Sequence, residues 1–457
     1  MKKLFFIFIF FLPVIVSAQF NLYKDSPLDY AWQNVGIAGF SPEEATYTSL
    51  AFSPAGEPYV AYEDYGNSRK ATVMKFDGNN WVNVGTAGFS ALWAEYTSLA
   101  MSTSGQPYVA YEDIGNSQKA TVMKYDVTNW VNIGTVGFSA GTAEYLSLAF
   151  SPVGEPYVAY KDYMNFQAAT VMKYDGTNWV NVGTAGFSTG IAMYTSLAFN
   201  AGQPYVAYSD AGNARKVTVM KFDGTNWVNV GIAGFSAGEA HFISLSISPS
   251  GQPYVAFSDK IAGYKATVMK FDGTSWVNVG TAGFSADEDD YTSVAFSPTG
   301  QPYVAFTDFG NNQSVTVMKF DGTNWANVGM AGFTGGNAFY TSLAFSPAGK
   351  PYVAYMDYAN STKATVSKYD YPTGINVIKH PQLLFYPNPA TNKITFELSG
   401  ATKENVVSIV NLEGQELITR QITESKTQID ITTLPSGVYF VRLTNDKTVE
   451  VGKIVKQ

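Results

Sequence analysis

Residues 47–85 read YTSLAFSPAGEPYVAYEDYGNSRKATVMKFDGNNWVNVG. Four short runs make up this stretch: A from Tyr47 (YTSLAFS), B from Pro58 (PYVAYED), C from Lys70 (KATVMKF) and D from Trp81 (WVNVG). All are rich in Tyr, Val, Thr and Phe, the residues that suit a pleated surface. SPAGEP joins A to B and DGNN joins C to D. Both are compact Gly-bearing turns that fit tight hairpins.

The stretch recurs along the chain. Trp stands at positions 32, 81, 130, 179, 227, 276 and 325, a spacing of 49 with a single 48. The string that begins at Pro58 returns at Pro107, Pro156, Pro204, Pro253, Pro302 and Pro351. The short copy lacks one residue near Asn200-Ala201-Gly202, in a turn, where a deletion costs least. Four antiparallel strands per repeat of this length read as one propeller blade; a parallel β-helix repeats at about half that length. Seven copies predict seven blades. The ends predict closure. The first copy opens with a spare D run, Trp32–Gly36, and the last stops after its C run at Asp370-Tyr371-Pro372. Pairing the two completes the seventh blade and removes two open sheet edges. Over residues 28–371 the chain resembles the general β-propeller family; the Gly-His and Trp-Asp pairs of WD40 units are missing.

Composition agrees. Aromatics reach 15 %, charged residues only 14 % and hydrophobic residues 46 %, which excludes a disordered chain and a coiled coil. Cys is absent, so disulfides, a thiolate nucleophile and Cys-based metal sites are excluded. Two histidines, His241 and His380, cannot build a His-rich metal centre. The net charge of −8 is uneven: residues 383–457 sum to zero, so the acidic excess lies in residues 19–382. An acidic surface repels phosphate backbones, so nucleic acid is not an expected partner.

Lys2 and Lys3 precede an apolar run from Leu4 to Val16, followed by Val16-Ser17-Ala18. This is a signal-peptide pattern over residues 1–18, and the run is too short to span a bilayer. No later stretch suits a transmembrane segment.

The repeat stops at Tyr371, and residues 372–382 read as a linker. Residues 383–457 hold about seven short alternating runs between turns, the pattern of a small Ig-like β-sandwich. Tyr386-Pro387-Asn388-Pro389 opens this segment, Leu434-Pro435-Ser436-Gly437-Val438-Tyr439 follows, and Lys453-Ile454-Val455-Lys456 nearly closes the chain. With these three ordered blocks the segment resembles the C-terminal sorting domain, type A, of type IX secretion substrates of Gram-negative bacteria. The resemblance implies an address read by that machinery at the outer membrane, with the propeller of residues 19–371 as cargo, released or attached to the outer surface. The fold class expected is thus all-β: a seven-bladed propeller closed by an N-terminal outer strand, then the sandwich.

The copies differ among themselves. A–B and C–D turns barely vary; B–C and D–A loops vary strongly, as Tyr65-Gly66-Asn67-Ser68-Arg69 against Lys260-Ile261-Ala262-Gly263-Tyr264 shows. Alternate turns of a blade share a face, so variation collects on one face, where propellers usually carry sites. An Asp closes every B run: Asp64, Asp113, Asp162, Asp210, Asp259, Asp308 and Asp357. It reads either as a cap on the B–C loop or as a carboxylate ring for polar ligands or a cation. The residue before the strand-A aromatic should sit at the channel mouth: Thr46, Glu95, Glu144, Met193, His241, Asp290 and Phe339. Trp93, outside the D series, can stack on a sugar or pack in its loop. The run from Asp287 to Asp290 lacks the ordered spacing of a calcium loop and reads as a solvated acidic loop. The strand-C lysines from Lys75 to Lys368 are expected to snorkel or pair between blades.

The expected function is non-catalytic binding of extracellular glycan or protein by a monomer without cofactor, with calcium open. The alternatives are a carbohydrate-active hydrolase or lyase using rim carboxylates such as Glu95 and Glu144, and a structural surface component. A sialidase-type arginine cluster is missing, since the propeller holds only Arg69 and Arg215.

Overall fold

The structure, a computed structural model, describes residues 30–370, 383–398, 405–411, 414–444 and 449–457. The signal-peptide and linker readings lie outside the described residues. Contacts divide the chain into two units, residues 1–372 and 373–457.

The first unit is a ring of seven four-stranded antiparallel sheets, each in the order A–B–C–D. In blade 1 these strands are Ala45–Phe52, Pro58–Asp64, Lys70–Phe76 and Trp81–Asn83. The seventh blade takes its D strand from the start of the chain: Ala31–Asn34 pairs with Lys363–Asp370, Trp32 opposite Tyr369. Closure by the N-terminal outer strand is therefore as expected. The shortened fourth copy turns from A to B through Ala201 and Gly202 alone, both at positive φ, the backbone of a type I′ hairpin.

Strand B is buried along its whole length in blade 1, which explains its near-invariant apolar PYVA start. Two sets of bonds stitch neighbouring blades. At the outer edge each D-strand Trp donates from Nε1 to a carbonyl of the preceding blade, as Trp81 to Val35 at 2.7 Å, while its indole stacks on a loop Phe, Phe40, at 4.0 Å. The approach is close: a Cβ on Gly85 would lie 2.7 Å from the Tyr125 ring, and its φ of +71 suits glycine. Near the axis, Ser49 Oγ accepts from the Leu99 amide of the next blade at 3.0 Å, and this bond repeats at all seven interfaces. For the strand-C lysines, pairing within a blade replaces the expected pairing between blades, while Lys124 and Lys270 lie over the strand-B rings of Tyr108 and Tyr254. Lys75 and Lys173 pair with Glu57 and Glu155 of their own blades, at 2.9 and 3.0 Å, because the strand-B entry lies beside them in the same sheet.

The second unit is a sandwich of a three-stranded and a four-stranded antiparallel sheet. Ile394, Phe396, Ile409, Ile422, Val441 and Ile454 fill its core. Asn388 brackets the final strand, donating to the Lys453 carbonyl at 2.8 Å and accepting from the Val455 amide at 2.9 Å. Tyr439 donates to the Pro435 carbonyl at 2.8 Å. The sorting blocks therefore include structural pins, with Leu434 and Tyr439 buried and Pro387, Pro389 and Lys453 exposed.

Candidate functional site

The B–C and D–A loops share one face. A Cβ on Gly66 of a B–C loop would touch Pro42 and Glu43 of a D–A loop. Strand A feeds this face through a β-bulge in every blade, between Thr46 and Ser49 in the first. A bulge re-aims the side chain it carries. Here it carries the strand-A aromatic, held at φ between +49 and +55 in all seven blades, a strained setting for a bulky residue. Tyr47, Tyr96, Tyr145, Tyr194, Phe242, Tyr291 and Tyr340 consequently form a closed girdle, with neighbouring centroids 4.7 to 5.2 Å apart. They line an axial cavity of about 320 Å³ together with the Thr and Ser that follow them. Burial pushes the Tyr194 phenol up to about 12, so it stays a neutral donor.

The rim residues stand just outside the girdle. Glu95 lies directly opposite Glu112 across strands A and B. Arg69 reaches over from blade 1: its Nε is 2.7 Å from Glu63 and its Nη2 is 2.9 Å from Glu95. Its guanidinium also lies 4.1 Å over the Trp93 ring and 5.1 Å from Tyr65. Trp93 is 43 % exposed. One of its faces is therefore held by Arg69, and much of the indole meets solvent. Glu144 accepts from Tyr163 at 2.8 Å and from Lys161 at 3.0 Å. Burial, and then the Glu95 and Glu144 charges, push the Glu112 carboxyl up to about 8. Across the ring, Glu239 pairs with Lys260 at 2.8 Å and Arg215 at 3.0 Å, which hold it down at about 2. His241 is 3.3 Å from the same carboxylate. Burial raises Asp290 in blade 6 to about 6.

The structure thus joins Trp93, Glu95 and Glu144 in one charged and aromatic cluster across blades 1 to 3. His241 belongs to a second cluster, in blades 4 and 5. Glu63, Glu112 and Lys161 were missed. They precede the strand-B Asp, where the copies read Glu, Glu, Lys, Ser, Ser, Thr and Met inside an otherwise near-constant strand. Antiparallel register faces that position to the rim, so the same internal comparison flags it.

The carboxylate-ring reading of the strand-B Asp residues meets a plain geometric obstacle. All seven are 0–3 % exposed. In blade 1, Asp64 Oδ2 accepts from Thr72 at 2.7 Å and Asn67 at 2.8 Å, and Thr72 in turn accepts from the Gly88 amide at 2.8 Å. This strut ties the B–C loop to the D–A loop, as the capping alternative expects. The solvated-loop reading of residues 287–290 also needs correction. Asp287 and Glu288 are exposed, but Asp289 is wholly buried, and the one hydroxyl near it, Ser258, donates instead to the Tyr264 carbonyl at 3.0 Å. Asp289 opens strand A, where the other six copies carry Ala. No cluster of three or more metal-ligating side chains occurs among the described residues.

A family model described as the secretion system C-terminal sorting domain matches residues 384–457. A search of curated proteins finds no match. Among solved structures the chain is similar to PorZ, an essential bacterial surface component of the type IX secretion system of Porphyromonas gingivalis, at 14 % identity and TM-score 0.48, covering 93 % of this chain and 61 % of that one. The chain thus spans about three fifths of that structure's length. It is similar to a polysaccharide lyase, an ulvan lyase, at 12 % identity and TM-score 0.47, covering 74 % and 96 %. It is similar to Aleuria aurantia lectin in complex with Fucα1-6GlcNAc, at 18 % identity and TM-score 0.44, covering 64 % and 97 %. The family match, on a segment whose motif residues pin a seven-stranded sandwich, makes residues 384–457 a type IX secretion C-terminal sorting domain, and the chain an outer-surface or secreted β-propeller protein.

Proposed function

We propose that the propeller is a non-catalytic binding module that holds an extracellular protein partner on its loop face. One observation carries this reading. Among the described propeller residues, thirteen of the sixteen exposed large apolar side chains lie on the B–C and D–A loops. Phe166 is 93 % exposed, Ile261 73 % and Met164 65 %. Apolar groups gathered on one face and bordered by charged clusters suit a protein interface. The rim charges are already fixed by one another, so a partner would meet a preorganised surface. The test is surface plasmon resonance of the immobilised full chain against extracellular fractions, with and without protease treatment. Protease-sensitive binding that the double substitution Met164→Ser and Phe166→Ser weakens about tenfold is expected. Binding indifferent to both treatments would refute the reading.

A further inference from the structure

The opposite face, made of the near-invariant turns, holds a second set of sites. Three cavities of closely similar lining lie between successive blades there, of about 260, 290 and 300 Å³. They fall between blades 2 and 3, 3 and 4, and 4 and 5. Each takes a strand-B Tyr and a strand-C Lys from one blade. From the next blade come the A–B turn, the aromatic that ends strand C, and the Asp-Gly of the C–D turn. In the last cavity these are Tyr205, Lys221, Gln252, Phe271 and Asp272, with Asn229 at the side.

Two features of this lining are only partly used by the fold: four strand-C lysines lie 5.8–6.0 Å over a strand-B Tyr ring, but several make no ion pair among the described residues. Lys stands in strand C and Asn in strand D of all seven copies. Yet Lys124, Lys221, Lys270 and Lys319 form no ion pair among the described residues; Gln replaces the strand-B entry Glu in blades 2, 5 and 6, and also in blade 4. Asn181 and Asn229 are exposed on a sheet edge, and their side chains make no hydrogen bond among the described residues. The same seven copies have diversified on the loop face. In these copies the shared Lys and Asn leave donors and acceptors free on this face, among the described residues, which a ligand could use.

We propose that these inter-blade grooves each bind one sugar residue of a repeating extracellular polysaccharide. The chemistry suits hydroxyl recognition. A cationic donor (Lys221), two amides (Asn229 and Gln252) and an exposed carboxylate (Asp272) converge beside an aromatic edge (Phe271) in a small cavity. Juxtaposed donors and acceptors match vicinal hydroxyls, and the apolar half of the lining suits the C–H face of a sugar ring. Repetition around the ring matches repetition along a polymer, so weak single sites add up to avidity. This inference does not depend on the loop-face partner.

The test uses the full chain on an array of immobilised bacterial and algal polysaccharides, followed by surface plasmon resonance on the polymers retained. Retention is expected, with soluble monosaccharide of the same polymer competing only at millimolar concentration. The triple substitution Lys124→Ala, Lys173→Ala, Lys221→Ala, one lysine per groove, should lower apparent affinity at least about tenfold. So should Asn181→Ala with Asn229→Ala, which removes only exposed amides and leaves folding intact. Met164→Ser with Phe166→Ser, on the other face, should change nothing here. Retention of no polysaccharide, or equal binding by both groove variants and the parent, would overturn the proposal.

Discussion

Asp289 shows how one residue departs from its repeat. Six blades open strand A with Ala, and the sixth buries a carboxyl whose neighbouring hydroxyl, Ser258, is engaged by the Tyr264 carbonyl. Burial pushes that carboxyl well above its ordinary value, so the folded protein holds this proton to a higher pH than the free acid does. The unfolded chain ionises it near pH 4. The proton-linked part of its cost is therefore absent below about pH 4 and grows as pH rises toward the folded value. Asp289→Ala should stabilise the propeller by about 1–3 kcal/mol at pH 7. Melting temperatures of both proteins from pH 3 to pH 8 should diverge as pH rises; a gap that is constant with pH would refute this account. Asp113 is the opposite case, a buried carboxylate used as a strut by Thr121 at 2.9 Å and Asn116 at 2.7 Å. Asp113→Ala leaves those donors unmet and should cost about 1–3 kcal/mol, while Asp113→Asn, which keeps one acceptor, should cost less. Calorimetry on the two variants separates them.

Among elements, strand Ala31–Asn34 matters most, because it closes the ring with residues from the far end of the propeller sequence. Its indole donates from Trp32 to the Val328 carbonyl at 2.6 Å and stacks on Phe333 at 4.3 Å. Trp32→Ala should cost about 3 kcal/mol and loosen both blades it joins. Limited proteolysis should then cut near residue 30 and next to Lys363–Asp370 sooner than in the parent; unchanged cleavage would show that backbone pairing alone holds the closure. Strand boundaries were legible in the sequence to within a few residues, since alternation and Gly turns mark them. The strand-A bulge was not. Nothing in Thr-Tyr-Thr-Ser announces that the Tyr turns to positive φ, because the crowding of seven strands about one axis imposes it.

For the whole molecule, the two units divide the work. The sorting domain supplies the address, so a chain ending at residue 382, expressed in a host with type IX machinery, should stay in the periplasm while the full chain reaches the outside. Cell fractionation checks this, and export of the truncated chain would mean that the propeller carries an address of its own. The two propeller faces are chemically distinct, with apolar and charged variety on the loops and uniform grooves among the turns.

The ring is legible in the amino acids alone. A period of 49, four alternating runs per period and a displaced D run leave one economical way to pair every edge, and the three ordered blocks after Leu383 identify the sorting domain in the same local fashion. The tertiary structure alone decided which side chains meet. Arg69 and Glu63 share one hairpin of blade 1, but Glu95 comes from blade 2, and only the packing of neighbouring blades brings it within hydrogen-bond reach. The buried strand-B carboxylates and the inter-blade grooves have the same origin. Periodicity reports which face of a strand is covered; what covers it depends on the twist and stagger between neighbouring sheets, which no single repeat encodes.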